Sequence, residues 1–398
     1  MVDHVVKFFC SLRLTVVLLT LSMFLVFFGT MAQVDLGLYM AQLKYFRSFF
    51  VEWNPHGTGW KIPVYPGGYL LGGLLLINLI AAHIKRFKLS WSKAGIFLIH
   101  AGIIMLLLGQ LSTDLLSVES RLHLTQNQTL NYSEADRDDE IAFINTTHPD
   151  YDEVLAIPCR GLKNDFEIND PRLPFVASVK RFYPNSFRVI PPTADAPVLA
   201  NQGIGTRATV APAPEVTDME HRNAPSAVIE LKAGGTDLGT WLVSDWYKDQ
   251  EVRFGTNTFK LAMRPIRYYK PYSLQLLKFR FDKYLGTETP KNFSSRVRII
   301  NPSTKEDREV LIYMNNPLRY AGETYYQAST DENDPSATVL QVVRNPGWLT
   351  PYFACLLVGG GMLWQFLHHL VRFLRKTKIS AQPALATAAA APVRRRNR

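Results

Sequence analysis

Cysteine is scarce in this chain. Its 398 residues hold three, Cys10, Cys159 and Cys355, too few for a disulfide framework. Cys10 and Cys355 fall at or inside apolar runs, so Cys159 has no partner in the segment it occupies. The absence of C-x-x-C argues against a thiol oxidoreductase. The absence of C-x-x-C-H means that the chain is not itself a covalently haem-bearing cytochrome. Cys159 has only Arg160 as a nearby base, which gives little support to a thiol relay. A nucleophile elbow, zinc-ligand spacing and a Ser/His/Asp order are also missing, so an extracytoplasmic enzyme has the least support. His123, His148 and His221 are scattered without ligand spacing and read as surface residues.

Hydrophobicity is concentrated in four runs, 14–32, 67–83, 94–111 and 348–370. Each approaches the roughly 20 apolar residues that a ~30 Å hydrocarbon core requires. The second and third are joined by 84–93, too short for a domain, and form a helical hairpin. A net charge of +10 could point to nucleic acid, but its distribution does not. Residues 1–13, 84–93 and 371–398 hold fourteen basic side chains against Asp3 alone, a local +13, so the rest of the chain carries −3. The basic excess sits at alternate ends of the runs, as the positive-inside rule expects, and nucleic acid is not a partner. Both termini and the hairpin turn are then cytoplasmic, while 34–66 and 112–347 lie outside. The first run lacks a small-x-small cleavage site at Met31-Ala32-Gln33 and reads as a retained anchor.

The third run, Gly95 to Gly109, contains one ionisable side chain, His100. An imidazole in hydrocarbon costs free energy unless it is paired or bound, so it is a functional candidate by default. A hydrogen bond to a neighbouring helix is the plain account, and ligation of porphyrin iron the sharper one. His83 closes the second run beside Lys85 and Arg86, where solvation is the simplest reading. With the hairpin centred near Lys88–Leu89, the two histidines differ in depth by about 9 Å, badly levelled for a shared metal. Ala94, Gly95, Ala101, Gly102 and Gly109 would let another helix, or a flat ligand, approach closely. His368 and His369 are adjacent on the last run and point about 100° apart, so they cannot face one ligand.

The domain plan that follows is 1–33 anchor, 34–66 outer loop with an interfacial aromatic helix, or equally an ordinary loop with buried aromatics, over 36–51, 67–111 hairpin, 112–347 β-rich domain, 348–376 last span, and 377–398 disordered basic tail. Strand signals fall at 226–232, 240–244, 258–263, 295–300, 309–313, 323–328 and 338–344, punctuated by turns. The stretch 193–216, rich in Ala, Pro and Thr, reads as an extended loop. The fold class is therefore an α+β membrane protein: four transmembrane helices, with a large, mainly antiparallel β domain, sandwich-like or barrel-like, between the third and fourth.

Ser11-Leu-Arg-Leu-Thr-Val-Val17, His100-Ala-Gly102 with Leu106–Gly109, Pro271-Tyr-Ser-Leu-Gln-Leu276, Lys278-Phe-Arg-Phe281 and Phe293-Ser-Ser-Arg-Val-Arg298 carry a resemblance. So do Met314-Asn-Asn-Pro-Leu-Arg-Tyr-Ala-Gly322, Tyr325-Tyr-Gln-Ala-Ser329 and Asn345-Pro-Gly347. The pattern resembles the ResB-like, or CcsB-type, membrane proteins of system II cytochrome c biogenesis, most strongly in the spans and from about residue 265 onward. The resemblance implies a bacterial inner-membrane subunit, non-catalytic or co-catalytic, of a holocytochrome c synthase that carries haem b outward for attachment to apocytochrome c. It maps a haem ligand onto His100, with His83 as a lesser candidate. It implies a CcsA- or ResC-type tryptophan-rich partner that supplies the other ligand and the haem-presenting loop, to which Gly239-Thr-Trp241 and Asp245-Trp246-Tyr247 bear only a superficial likeness. A thiol-reducing thioredoxin-like protein and membrane lipid complete the implied partners. The competing reading is a membrane-anchored ligand-binding sensor without haem, in which His100 only packs the bundle.

Overall fold

A computed structural model describes residues 2–55, 60–86, 90–218, 221–287, 290–330, 334 and 336–389. The chain divides into two compact units, Met1–Ser117 with Asn345–Arg398, and Val118–Arg344.

The first unit contains α1 (Val2–Phe9), α2 (Leu12–Ala41), β1 (Phe50–Trp53), β2 (Ile62–Pro66), α3 (Gly68–Arg86), α4 (Ala94–Leu116) and α5 (Thr350–Ala389). Four helical stretches are long and apolar enough to span: Leu12–Phe46, Gly68–Lys85, Trp91–Leu116 and Thr350–Lys376. The chain is therefore a multi-pass membrane protein. Val16, Val17, Phe27, Leu356 and Phe366 are among many large apolar side chains exposed on these helices, as expected where lipid is the solvent.

Polar and small residues join the helices. Asn78, buried in α3, donates through Nδ2 to the Phe9 carbonyl at 2.6 Å and accepts from Thr15 Oγ1 at 2.6 Å, tying α3 to the α1–α2 junction. Interhelical bonds of this type contribute about 1 kcal/mol in a membrane. At the other end Asp114 of α4 accepts from Tyr69 of α3 and pairs with Arg47 at 2.9 Å. The glycines of α4 recur every seven residues on the face against α5. A Cβ at Gly95 would stand 2.6 Å from the Gly361 carbonyl oxygen, and one at Gly102 2.6 Å from Val358 Cγ2. The small-residue face of α4 thus packs against a helix.

Three expectations are refined here. The helix expected over 36–51 is present in shorter form: α2 breaks at Gly37, whose φ of 73° and ψ of 163° are not helical and suit glycine, and a second helical segment runs from there through a wide turn at Gln42–Phe46 to the β1–β2 hairpin. The aromatic spacing there reflects packing, since Tyr45, Phe46 and Tyr65 lie against Leu18, Leu25, Val51 and Leu71. Second, α5 stays helical to Ala389, into the tail expected to be disordered from 377; alanine has the strongest helix propensity. Residues 390–398, with Arg394–Arg396, lie outside the described residues, as do Lys88 and Leu89. Third, His83 is not a solvated end residue, as described below.

The second unit holds β3 (Val118–Leu124), β4 (Thr129–Asn145), β5 (Glu153–Pro158), β6 (Phe166–Ile168), β7 (Val176–Tyr183), β8 (Ser186–Val189), β9 (Thr209–Pro212), β10 (Ser226–Ala233), β11 (Thr236–Ser244) and β12 (Gln250–Phe254). It continues with β13 (Asn257–Lys283), β14 (Pro290–Asn301), β15 (Glu306–Tyr313), β16 (Leu318–Tyr320), β17 (Glu323–Thr330) and β18 (Thr338–Arg344). The pairings are antiparallel. A ten-stranded sheet runs β15-β14-β13-β4-β3-β18-β17-β16, with β12 beside β13 and β5 beside β4; a four-stranded sheet runs β11-β10-β7-β6, and β8-β9 form a ribbon.

Two cores share the long strands β4 and β13. In one, the four-stranded sheet covers part of the large sheet, with Ile229, Leu231, Val243 and Phe175 meeting Ile141, Phe143, Phe259 and Leu261, which is a sandwich. In the other, the large sheet wraps its own core, from Leu122 on β3 through Leu274, Leu276, Ile299 and Ile312 to Tyr325 and Leu340, which is barrel-like. The β domain thus combines the two architectures that alternating strand signals alone left open.

Candidate functional site

His83 of α3 and His100 of α4 face each other. Their ring centroids are 5.8 Å apart at 67° between planes, and Phe97 lies 4.5 Å from the His83 ring. Both ring nitrogens of His83 and Nδ1 of His100 are shielded from solvent. The expected mismatch in depth does not arise. α3 extends to Arg86, and α4 begins at Ala94 after a helical turn at Trp91–Lys93. Counted from the helix ends, the two positions differ by three residues, about 4.5 Å at 1.5 Å per residue. Counting from the middle of the connecting sequence treats a partly non-helical turn as helix.

The donor set fits a haem iron. Neutral imidazole is a good iron ligand, and His100, with His83 facing it at 5.8 Å between ring centres, would hold the iron. No group of three or more His, Cys, Asp or Glu capable of holding a metal occurs among the described residues. Three other histidines have different surroundings: His148 stacks on Tyr151 at 4.0 Å, His221 pairs with Asp218 at 3.1 Å, and Gln365 Nε2 lies 2.7 Å from His369 Nε2.

Cys159 is buried, with Sγ 3.4 Å from Met263 Sδ. Burial, reinforced by Asp139, Glu140 and Asp245, pushes its thiol up to about 12. It is a protonated core residue rather than a nucleophile. Arg160, the base beside it in sequence, pairs with Asp138 at 3.2 Å. The tryptophans of 239–247 are structural: Trp241 is buried in the sandwich core, and Trp246 Nε1 donates to the Ser186 carbonyl at 2.9 Å. Tyr247 donates to the Thr209 carbonyl at 3.0 Å, so this stretch holds the β8–β9 ribbon.

Sequence reasoning missed a charged waist between the two β cores. Where β4 and β13 cross from one core to the other, the register shifts between Pro265 and Arg267, opposite Asp139 and Glu134. Pro265 has no amide hydrogen to donate. Glu140 pairs with Arg264 at 3.0 Å, both nearly buried, and Glu134 with Arg267 at 3.0 Å. Arg222 pairs with Asp139 and stands 3.6 Å from Asp245. Burial raises the Asp139 carboxyl to about 6 against the pull of Arg222, and burial raises Asp245 as well. The signal was present as Glu134-Ala-Asp-Arg-Asp-Asp-Glu140, a charge run that argues against a strand by propensity.

The late motifs converge on a second polar cluster. Tyr272 and Tyr325 hydroxyls are 2.7 Å apart, and both donate to Glu323, at 2.9 and 2.7 Å. Lys270 Nζ lies 2.6 Å from the same carboxylate. Burial opposes ionisation of Glu323, but Lys270 and the two phenols hold it below the ordinary carboxylate range. Asn315, Ala321 and Gly322 all take positive φ in the turns flanking β16. Asn345 Oδ1 accepts from the Gly347 amide at 2.8 Å, while its Nδ2 donates to Thr113 at 3.1 Å, joining the end of α4 to the approach to α5.

Residues 247–338, which contain this cluster, match the ResB-like family. Protein NrfI of Wolinella succinogenes is 27% identical over 311 residues, covering 76% of this chain. The chain spans 30% of the length of that relative. The chain thus carries a segment similar to the ResB-like family across its late strands, and is similar to NrfI over three quarters of its own length.

Proposed function

We propose that this chain is a membrane subunit of cytochrome c biogenesis, and that His100 binds the iron of haem b passing across the bilayer. The observation that carries the reading is the imidazole pair, 5.8 Å apart between two apolar helices. The ResB-like match and the relationship to NrfI support the cytochrome assignment. His100 would hold the iron through a ring nitrogen, with His83, facing it, as a further candidate ligand. Haem, when bound, supplies the vinyl groups that form thioethers with apocytochrome cysteines. The glycine-packed α4–α5 pair keeps His100 at a fixed level, and Asn78 and Asp114 anchor α3 beside it. The positive-inside distribution supports an orientation with both termini in the cytoplasm and 112–347 outside. A tryptophan-rich multispan partner of the CcsA or ResC type would present haem to the apocytochrome, with a thioredoxin-like reductant keeping its cysteines as thiols.

The test is co-expression with such a partner, followed by absorption spectra of the purified membrane complex. Wild type should retain haem with a bis-imidazole spectrum, and His100→Ala should lose the pigment and thioether formation. His83→Ala should alter the spectrum or the pigment content if this chain supplies both ligands, and leave both unchanged if the partner supplies the second. Undiminished haem and cytochrome maturation in His100→Ala would overturn the assignment and favour the anchored sensor.

A further inference from the structure

At the cation-bearing end of the spans, α5 presents Trp364, His368, Arg372 and Arg375 at intervals of four, four and three residues, so they share one helical face. Beside them the turn at Trp91–Lys93 closes against α5: the Trp364 indole N–H donates to the Trp91 carbonyl at 3.0 Å, and the two rings lie 5.6 Å apart. Between turn and helix is an open hollow of about 610 Å³, with Ser92 on one side and Leu367 and Val371 on its floor. The adjoining sequence, 84–93 and 350–376, contains no Asp or Glu. The hollow therefore has two guanidinium groups, a hydroxyl and an apolar floor, with no carboxylate supplied by either flanking stretch.

We infer that this hollow binds one anionic phospholipid, with its phosphate on Arg372 and Arg375 and its acyl chains along Leu367 and Val371. Guanidinium forks match phosphate oxygens bidentately, and the Ser92 hydroxyl adds a neutral donor. Trp91, 80% exposed, and Trp364, 39% exposed, are the amphipathic rings that settle at headgroup depth. Basic pockets between spans at this level suit anionic headgroups. A soluble phosphate would use the arginines but gain nothing from the apolar floor. The inference does not depend on haem or on His100.

The test is native mass spectrometry of the full chain in detergent with added palmitoyl-oleoyl phosphatidylglycerol, and separately with the phosphatidylcholine of the same chains. Wild type should retain one phosphatidylglycerol and discriminate against phosphatidylcholine. Arg372→Gln with Arg375→Gln should weaken retention at least about tenfold, what one lost charge-assisted hydrogen bond costs. Lys7→Gln with Arg13→Gln, which removes two cations from another cation-rich segment, should leave retention unchanged. Gel filtration and thermal unfolding of both double variants establish that they fold, and Arg372→Lys with Arg375→Lys should keep part of the affinity.

Equal loss in both Gln pairs would overturn the proposal in favour of diffuse surface charge, as would equal retention of phosphatidylcholine. Displacement of the lipid by millimolar inorganic phosphate would make this a soluble-anion site and also overturn it. Haem held at the arginines in place of lipid, detected as pigment lost in the Arg-to-Gln pair, would do the same.

Discussion

Single side chains in the β domain do work that their neighbours in sequence do not reveal. Cys159 looks like a lone external thiol beside an arginine, yet the arginine pairs with Asp138 and the sulfur is buried against Met263. Because its thiol is raised to about 12, native protein should not react at Cys159 with an aromatic disulfide reagent near neutral pH. Cys159→Ala should support cytochrome maturation as well as wild type. Rapid labelling of that residue in folded protein, read by peptide mapping, would restore a redox role. Ala321 is a second case. It occupies a φ of 49° beside Gly322 in the two-residue turn between β16 and β17, a conformation that costs a residue with a Cβ roughly 1–2 kcal/mol. Ala321→Asn should stabilise the β domain by some tenths of a kcal/mol to about 1 kcal/mol, whereas Gly322→Ala should destabilise it by a similar amount. Thermal unfolding of the two variants orders them, and the reverse order would contradict the turn geometry.

At the scale of elements, the strongest packing constraint in the membrane unit is the α4–α5 seam. Gly102 has Val358 Cγ2 and the Ala354 carbonyl where a Cβ would go, whereas Gly73 on α3 has nothing within 4 Å. Gly102→Leu should therefore cost more than about 2 kcal/mol of stability in detergent, in line with overpacking of a close-packed interface. Gly73→Leu should be near neutral, and comparable melting of the two would contradict the packing. The four spans were legible because apolar length is a strong signal, and so were the seven strands from 226 onward with β-branched or aromatic runs. The strands β3 to β9 were not legible. β4 carries seven consecutive residues of which six are charged, and its carboxylates are paired by Arg121, Arg160, Arg222, Arg264 and Arg267, which come from other strands or loops. The proximity of His83 and His100 was hidden for a different reason: depth along a hairpin depends on where each helix ends.

The whole molecule should respond to pH through the waist. Asp139 binds its proton more tightly folded, at about 6, than at the ordinary 3.8 of an exposed aspartate. The folded state thus takes up a proton before the unfolded state does, and stability rises as pH falls through about 6 toward 4. Asp245, raised in the same cluster, acts in the same direction. Glu323, held below its ordinary range, does the opposite and loses its contribution as pH falls below that range. The unfolding midpoint of the β domain should therefore increase from pH 7.5 toward 5.5 and fall at lower pH. Asp139→Asn should flatten the rise, and a midpoint that declines steadily from neutral pH in wild type would refute this account. Since Val118–Arg344 contains both cores, that segment should also fold cooperatively by itself, with one β-sheet circular dichroism spectrum and a sigmoidal melt; a random-coil spectrum would show that it depends on the helices.

The bond between Thr113 and Asn345 bears on ancestry and engineering. Departure from the fourth helical element and re-entry into the fifth occur at neighbouring points, and the first and last strands of the intervening module are themselves paired, Val118 with Arg344. Such a module is topologically a graft: exchanging it for another with adjacent ends, or for a short glycine–serine bridge, requires no rearrangement of the bundle.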